Sequence, residues 1–268
     1  MEDGPDAILY SAADGVATIT LNRPNRLNAW TYAMGERYIQ LLEQAGSDAS
    51  VRVIVVTGAG RGFCAGAEMD EMRPDRLETD VTNAANRYSP VRSLSLPKPI
   101  IAAINGGCAG IGLVMALMCD LRFAAEGAKI TASFSRRGLI AEHASAWLLA
   151  RLVGPARALD FLLSSRVVTG REAYELGLAN KVTKAETLLE ETMAYARDLV
   201  ANCSPRSMAV IKRQVYADLE TDLSSALKNA FRLEERSYTW PDFPEGVASF
   251  VERRPPRFEA LADGPDYA

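Results

Sequence analysis

Two glycine-rich segments hold the residues best suited to chemistry. The first, Val53–Met69 (VIVVTGAGRGFCAGAEM), runs from an apolar stretch into a loop containing Gly58, Gly60, Gly62 and Gly66. The second, Leu96–Asp120 (LPKPIIAAINGGCAGIGLVMALMCD), ends an apolar run in Gly106-Gly107 and enters an apolar helix through Gly110-Ile111-Gly112. Glycine at this density lets backbone approach a ligand and permits positive φ angles. The helix start turns free N–H groups and the positive end of its dipole toward the loop. Two strand ends that each aim a backbone N–H inward make an oxyanion hole for a carbonyl oxygen that becomes an enolate. Taken alone, the first segment reads equally as an ordinary strand-end turn, and it contains neither GxxxxGK[ST] nor GxGxxG, the loops that cradle nucleotide phosphates.

His143, beside Glu142 in RRGLIAEHASAWLL, is the chain's one histidine. A Ser-His-Asp hydrolase would need it, and no GxSxG elbow accompanies it. It reads as a supporting or surface residue, not a catalyst. Arg136 and Arg137 precede the loop to Glu142 and read as holding that loop.

The elements that must position these residues are strands alternating with helices. β-rich runs fall at Ile8–Ser11, Val16–Leu21, Val53–Thr57, Ile100–Ile104 and Asp120–Ala124, the pattern of an α/β sheet with crossovers. A helix is predicted over Thr31–Gln44, ending before Ala45–Gly46, and with the strands beside it this makes a β-α-β passage. From Ala185 onward the spacing becomes helical throughout, and Asn202-Cys203-Ser204-Pro205 breaks and restarts it. The division expected is a core over residues 1–200, for binding and catalysis, and a helical region over 201–268.

Composition excludes several functions. The formal charge of −4 and a pI near 5.3 offer no basic face for nucleic acid. Cys64, Cys108, Cys119 and Cys203 form no CxxC pair, so neither a zinc ribbon nor a dithiol redox motif is supported, and no metal is expected. They read as reduced, mostly buried thiols of a cytosolic protein. The acidic start MEDGPDAILYS does not read as a secretory signal, and no run reaches the roughly 18 apolar residues of a membrane span. A cytoplasmic protein without membrane contact is expected.

The chain resembles the enoyl-CoA hydratase/isomerase (crotonase) superfamily over essentially its whole length. The resemblance rests on Ile19-Thr20-Leu21-Asn22-Arg23-Pro24 with Leu27-Asn28-Ala29, GxGxxFCAGAE at 58–68, LPKPIIAAING at 96–106, GIG…MCD at 110–120, Gly177-Leu178 before Val182, and EGVASFVERRPPRF at 245–258. It implies an α/β fold: a spiral of ββα units in two nearly perpendicular sheets, with a C-terminal helical trimerisation region. A homotrimer or a hexamer built as a dimer of trimers would follow. It implies an acyl-CoA substrate and no separate cofactor, since coenzyme A is part of the substrate. The carried-over oxyanion donors are the N–H groups of Ala65 and Ile111. Arg26, Leu27, Ala29, Ala67 and Gly110 fall where the family contacts coenzyme A or substrate. Arg23, Arg26, Arg253, Arg254 and Arg257 are candidates for its phosphates, or else solvated surface charges.

The departures from the family pattern direct the functional expectation. The two glutamates with which the family's hydratases activate water align with Val114 and Phe134, neither of which can move a proton. Glu142 aligns with the single catalytic glutamate of the Δ3,Δ2-enoyl-CoA isomerases. One carboxylate suits isomerisation, and a dry site raises its pKa toward that of a useful base. The alternative for Glu142 is a dipole-favoured acid in the first turn of a helix over His143–Leu152. The expected activity is double-bond isomerisation; the alternatives are an enoyl-CoA hydratase with an atypical site, a non-catalytic acyl-CoA-binding protein, or another chemistry of the same fold. Residues 71–95 are expected to line the acyl pocket, and Glu68, in place of the family's usual Asp, reads as a conservative structural change.

Overall fold

The structure, a computed structural model, describes residues 4–73 and 89–261. An antiparallel hairpin opens the fold, with β1 (Ile8–Ala13) paired to β2 (Val16–Leu21). Its two-residue turn, Asp14-Gly15, holds positive φ at both positions (51° and 77°), the mirror-image geometry that matches strand twist. Helix α1 (Tyr32–Ser47) follows; the Thr31 side chain caps it by accepting from the Met34 N–H at 3.2 Å. The helix does not stop at Gln44 as its pattern suggests. Ala45 is fully buried within it, and a Cβ on Gly46 would stand 3.0 Å from a methyl of Leu96.

From there the chain alternates between two sheets. β3 (Val53–Gly58), β5 (Ile100–Ile104) and β7 (Leu121–Ala125) run parallel in a six-stranded sheet of order β1-β2-β3-β5-β7-β10, where β10 is Lys181–Thr183. Each is followed at once by a short strand of a second sheet: β4 (Gly62–Cys64), β6 (Gly107–Ala109) and β8 (Lys129–Thr131). β9 (Val168–Thr169) completes that sheet in the order β4-β6-β8-β9. The repeated passage is strand, strand, helix, with α2 (Arg92–Ser95), α3 (Ile111–Met118), and the pair α4 (Ser145–Val153) and α5 (Pro155–Ser164) between turns of the spiral. The long strands lie where their Val and Ile runs placed them. The short ones carry too few residues to leave a periodic trace, and glycine dominates their surroundings.

Every residue of β3, β5 and α3 is buried, so α3 is a helix of the interior and not of the surface. Arg122 supports it from the C-terminal end, donating to the carbonyls of Leu117, Cys119 and Leu178 while almost fully buried. Guanidinium at a helix C-terminus satisfies orphan carbonyls and complements the dipole.

After α6 (Gly170–Glu175), the remaining helices are α7 (Leu188–Asn202), α8 (Pro205–Asp218), α9 (Leu223–Ser237) and α10 (Asp242–Glu252). α7 packs on strands β2, β3, β5 and β7 and belongs to the core, so helicity from Ala185 onward does not by itself mark a separate module. α8 is tied to that core by a buried lysine: Lys212 donates to the carbonyls of Ser93 and Lys98 and pairs with Asp120 at 2.8 Å. Beyond it, α9 buries no residue at all in this chain. No helix among the described residues is long and apolar enough to cross a membrane.

Candidate active site

Pairing of β4 with β6 brings the two glycine-rich loops together, with Cys64 opposite Cys108. Gly112, in the first turn of α3, backs onto β4 so closely that a Cβ would collide with the Cys64 carbonyl. Beyond the paired strands, Gly66 and Gly110 both take positive φ (114° and 52°), and a Cβ on Gly110 would stand 3.9 Å from the Gly66 Cα. The two loops are therefore side by side. Ala67 follows one glycine and Ile111 the other.

Backbone accounting decides which amides are available there. The Ala65 N–H donates to the Leu27 carbonyl at 3.0 Å and is committed to the fold, which corrects the expectation that it faces a ligand. The next pair of bonds runs from the Trp30 N–H to the Gly66 carbonyl at 2.8 Å and from the Glu68 N–H to the Trp30 carbonyl at 2.7 Å. Trp30 and Ala67 thus form a parallel bridge in which the N–H of Ala67 faces away from Trp30. Among the described residues the Ala67 N–H has no acceptor. The same holds for Ile111, the first residue of α3, whose N–H precedes any intrahelical partner.

The segment before Trp30 is held rigidly. Asn28 is buried, accepts from the Arg23 N–H at 2.8 Å and donates to the carbonyls of Ala59 and Gly62. Arg23, itself buried, bonds the Ala29 carbonyl and pairs with Glu68 at 3.2 Å. Arg26 pairs with the same carboxylate at 2.9 Å, and its hydrogen bond is the first cause holding the Glu68 carboxyl below its ordinary range. Arg23 and Arg26 are therefore partnered structural cations, and the position of Glu68 is a built ion-pair site. Arg254 is likewise engaged, by Glu245 and Glu252.

A cation pair that the sequence did not single out lies nearby. Arg61 and Lys129 flank a cleft of about 520 Å³ that Leu27, Asn105, Gly106 and Gly107 also line. Both side chains belong to exposed residues, and neither has a hydrogen-bond or ion-pair partner among the described residues. Their distance in sequence hides this pairing: each follows a strand of the main sheet, one after β3 and the other after β7.

Glu142 lies ahead of α4 but does not cap it. The helix starts at Ser145, not at His143, and no side chain caps it. A tight turn separates Glu142 from the helix, closed by a bond from the Ser145 N–H to the Glu142 carbonyl at 2.9 Å. The Glu142 carboxylate is half-buried, has no hydrogen-bond or ion-pair partner among the described residues, and is raised above its ordinary pKa by burial. α4 packs on α3, the helix that begins with Ile111. Val114 is fully buried and Phe134 nearly so, leaving neither position wet. His143 is half-buried with its pKa lowered by burial. Arg136 is tied to the Ser164 carbonyl at 3.1 Å. The thiols of Cys64, Cys108 and Cys119 are buried and held up by desolvation, to about 12 for Cys64, so none is a nucleophile at neutral pH. Of residues 71–95, those from 74 to 88 lie outside the described residues.

A spiral of ββα passages whose two inner loops each present a backbone amide with no acceptor among the described residues offers two donors that one anionic oxygen could accept together. The sequence profile described as enoyl-CoA hydratase/isomerase matches residues 11–261. The chain belongs to the enoyl-CoA hydratase/isomerase family. It is 36% identical over 259 residues to a 1,2-epoxyphenylacetyl-CoA isomerase of Escherichia coli, covering 94% of this chain and 97% of that one. It is also 36% identical to an enoyl-CoA hydratase of Alternaria alternata, over 96% of this chain and 85% of that protein. Its fold superposes on the crystal structure of a probable enoyl-CoA hydratase/isomerase from Mycobacterium abscessus with a TM-score of 0.88 at 30% identity, covering 95% of this chain and 99% of the other.

Proposed function

We propose that this enzyme moves the double bond of an unsaturated acyl-CoA, converting a 3-enoyl thioester to its 2-enoyl isomer. The observation that carries the reading is the Glu142 carboxylate: half-buried, unpartnered and raised in pKa, in a chain that has buried Val114 and Phe134 where hydration would need two acids. A desolvated carboxylate is a stronger base than a hydrated one.

In this mechanism the thioester oxygen sits between the N–H groups of Ala67 and Ile111. Glu142 takes the proton from C2, and the electron pair spreads over C2, C3, C4 and the thioester oxygen as a dienolate. Glu142 then returns its proton to C4, leaving the double bond between C2 and C3. No water enters, so the arrangement needs only one titrating group. Leu27, Ala29 and Gly110 line the path of the thioester, and Arg61 and Lys129 receive the phosphates of coenzyme A, because both are free to pair whereas Arg26 is bound to Glu68.

The working unit is an assembly of copies of this chain. α9 leaves Leu223 85% and Phe231 61% exposed, and α10 leaves Phe250 85% exposed. Below them a groove of about 700 Å³ is lined by Met208, Ile211, Trp240, Phe243 and Val247. An apolar surface of this extent is covered in a stable protein, and a trimer or a dimer of trimers covers it.

Turnover of 3-enoyl-CoA and 2-enoyl-CoA thioesters, followed by liquid chromatography that separates the isobaric isomers and by mass spectrometry that detects added water, tests the reading. Conversion of the 3-enoyl to the 2-enoyl thioester with no gain of water is expected. Hydration of 2-enoyl-CoA as the faster reaction would overturn it, and binding without turnover of either would make the chain an acyl-CoA-binding protein.

A further inference from the structure

The turn that follows Glu142 is strained, and one side chain holds it. His143 and Ala144 both adopt left-handed backbone, at φ 48° and 57°. For residues with a Cβ this conformation is sterically disfavoured, because Cβ crowds the following carbonyl oxygen. The turn is closed by the Ser145 N–H bond to the Glu142 carbonyl, and Ser145 is fully buried as α4 begins. Ala144 is exposed and has no side chain with which to anchor anything. His143 is the exception: its Nδ1 lies 3.0 Å from the hydroxyl of Ser89.

Ser89 is a fixed partner. It is buried, its carbonyl accepts from the Arg92 N–H at 3.3 Å, and its hydroxyl lies 3.4 Å from the Val91 N–H at the approach to α2. α2 is in turn pinned by Lys212, which donates to the Ser93 carbonyl at 2.9 Å. The bond from His143 therefore connects the strained turn to a braced part of the core.

We propose that His143 is a positioning residue, whose hydrogen bond to Ser89 holds the left-handed turn and with it the placement of Glu142. This rests on the reading of Glu142 as the base. A base displaced by about an ångström loses one to two orders of magnitude in rate. Because the clamp acts on the reacting geometry and not on coenzyme A, it affects kcat and leaves KM alone.

The test compares steady-state isomerisation of a 3-enoyl-CoA by His143→Ala, His143→Asn, Ser89→Ala, the Ala/Ala double variant and Glu142→Gln, with thermal melting of each. Asn tolerates left-handed φ and places a polar atom near that of Nδ1. Expected are a kcat about 10- to 100-fold lower in His143→Ala and in Ser89→Ala, KM within about twofold in both, and recovery of most of the rate in His143→Asn. The double variant should lose no more than either single, since both remove one bond. Wild-type kcat in His143→Ala or Ser89→Ala, or losses that multiply in the double variant, would overturn the proposal while a dead Glu142→Gln left the base assignment standing. Full turnover by Glu142→Gln would remove both. Should His143→Ala not fold, Ser89→Ala and His143→Asn decide the matter by the same criteria.

Discussion

The backbone N–H of Ala65 donates to the carbonyl of Leu27 at 3.0 Å, so it is not available to a ligand. With Ala65 committed to joining β4 to the Leu27 loop, Ala67 has an N–H without an acceptor among the described residues. Replacing Ala67 by Pro deletes that donor. Turnover should fall by about 10²–10³, the usual worth of one oxyanion donor, while the bridge bonds made by Gly66 and Glu68 persist. Ala65→Pro breaks a bond of the fold instead and should lower the urea midpoint. A fully active Ala67→Pro enzyme would return the donor to another amide.

Glu142→Gln keeps size and polarity but cannot accept a proton. Isomerase turnover should fall by roughly 10²–10⁴ with substrate affinity little changed. In the parent enzyme, the acidic limb of kcat/KM should lie above the ordinary carboxylate range, because burial raises the Glu142 pKa and the base is lost as pH falls through it. A limb at the ordinary carboxylate value would contradict this assignment.

The same shift has a consequence for stability. A carboxyl whose folded pKa is raised favours the fold while protonated, below its unfolded pKa, and that contribution is lost as pH rises through the folded pKa. Glu142→Gln should therefore raise Tm at pH 8, and the gain should vanish toward pH 4. Calorimetry at the two pH values measures it; a gain independent of pH would point to packing.

Val114→Glu introduces an acid into a fully buried position of α3. An uncompensated buried charge costs several kcal/mol. The variant should unfold about 2–5 kcal/mol more easily in urea and gain no hydration of 2-enoyl-CoA. Hydration in a stable Val114→Glu enzyme would show that this site accommodates the second acid and its water.

Arg61→Ala and Lys129→Ala should each weaken coenzyme A binding by roughly 1–2 kcal/mol at low salt, with less effect as ionic strength rises. Arg26→Ala should disturb the Glu68 site and lower Tm more than it lowers affinity. Calorimetric titration at two salt concentrations separates the two outcomes.

The sequence by itself determined the long strands β2, β3, β5 and β7, because short runs rich in Val, Ile, Thr and Phe and bounded by turn residues favour buried sheet, and it located both loops through their glycines. Through the family resemblance it also set apolar Val114 and Phe134 where the hydratases' two glutamates are expected, which is the basis of the isomerase proposal. The strands of two or three residues left no trace, since a period needs more than one repeat to be seen. Within the Cys64–Ala67 run the resemblance pointed to the Ala65 N–H, which the fold takes up: an amide is available only when no carbonyl takes it, and the carbonyls of Leu27 and Trp30 arrive from another part of the chain. The arginines show the same division. Charge is written in the sequence, but Arg26 is engaged by Glu68 whereas Arg61 faces an open cleft, because tertiary contact assigns each cation its partner. Glu142 was legible as an acid, while its burial, its lack of a partner and the left-handed turn behind it arise only once α4, Ser89 and the core have packed.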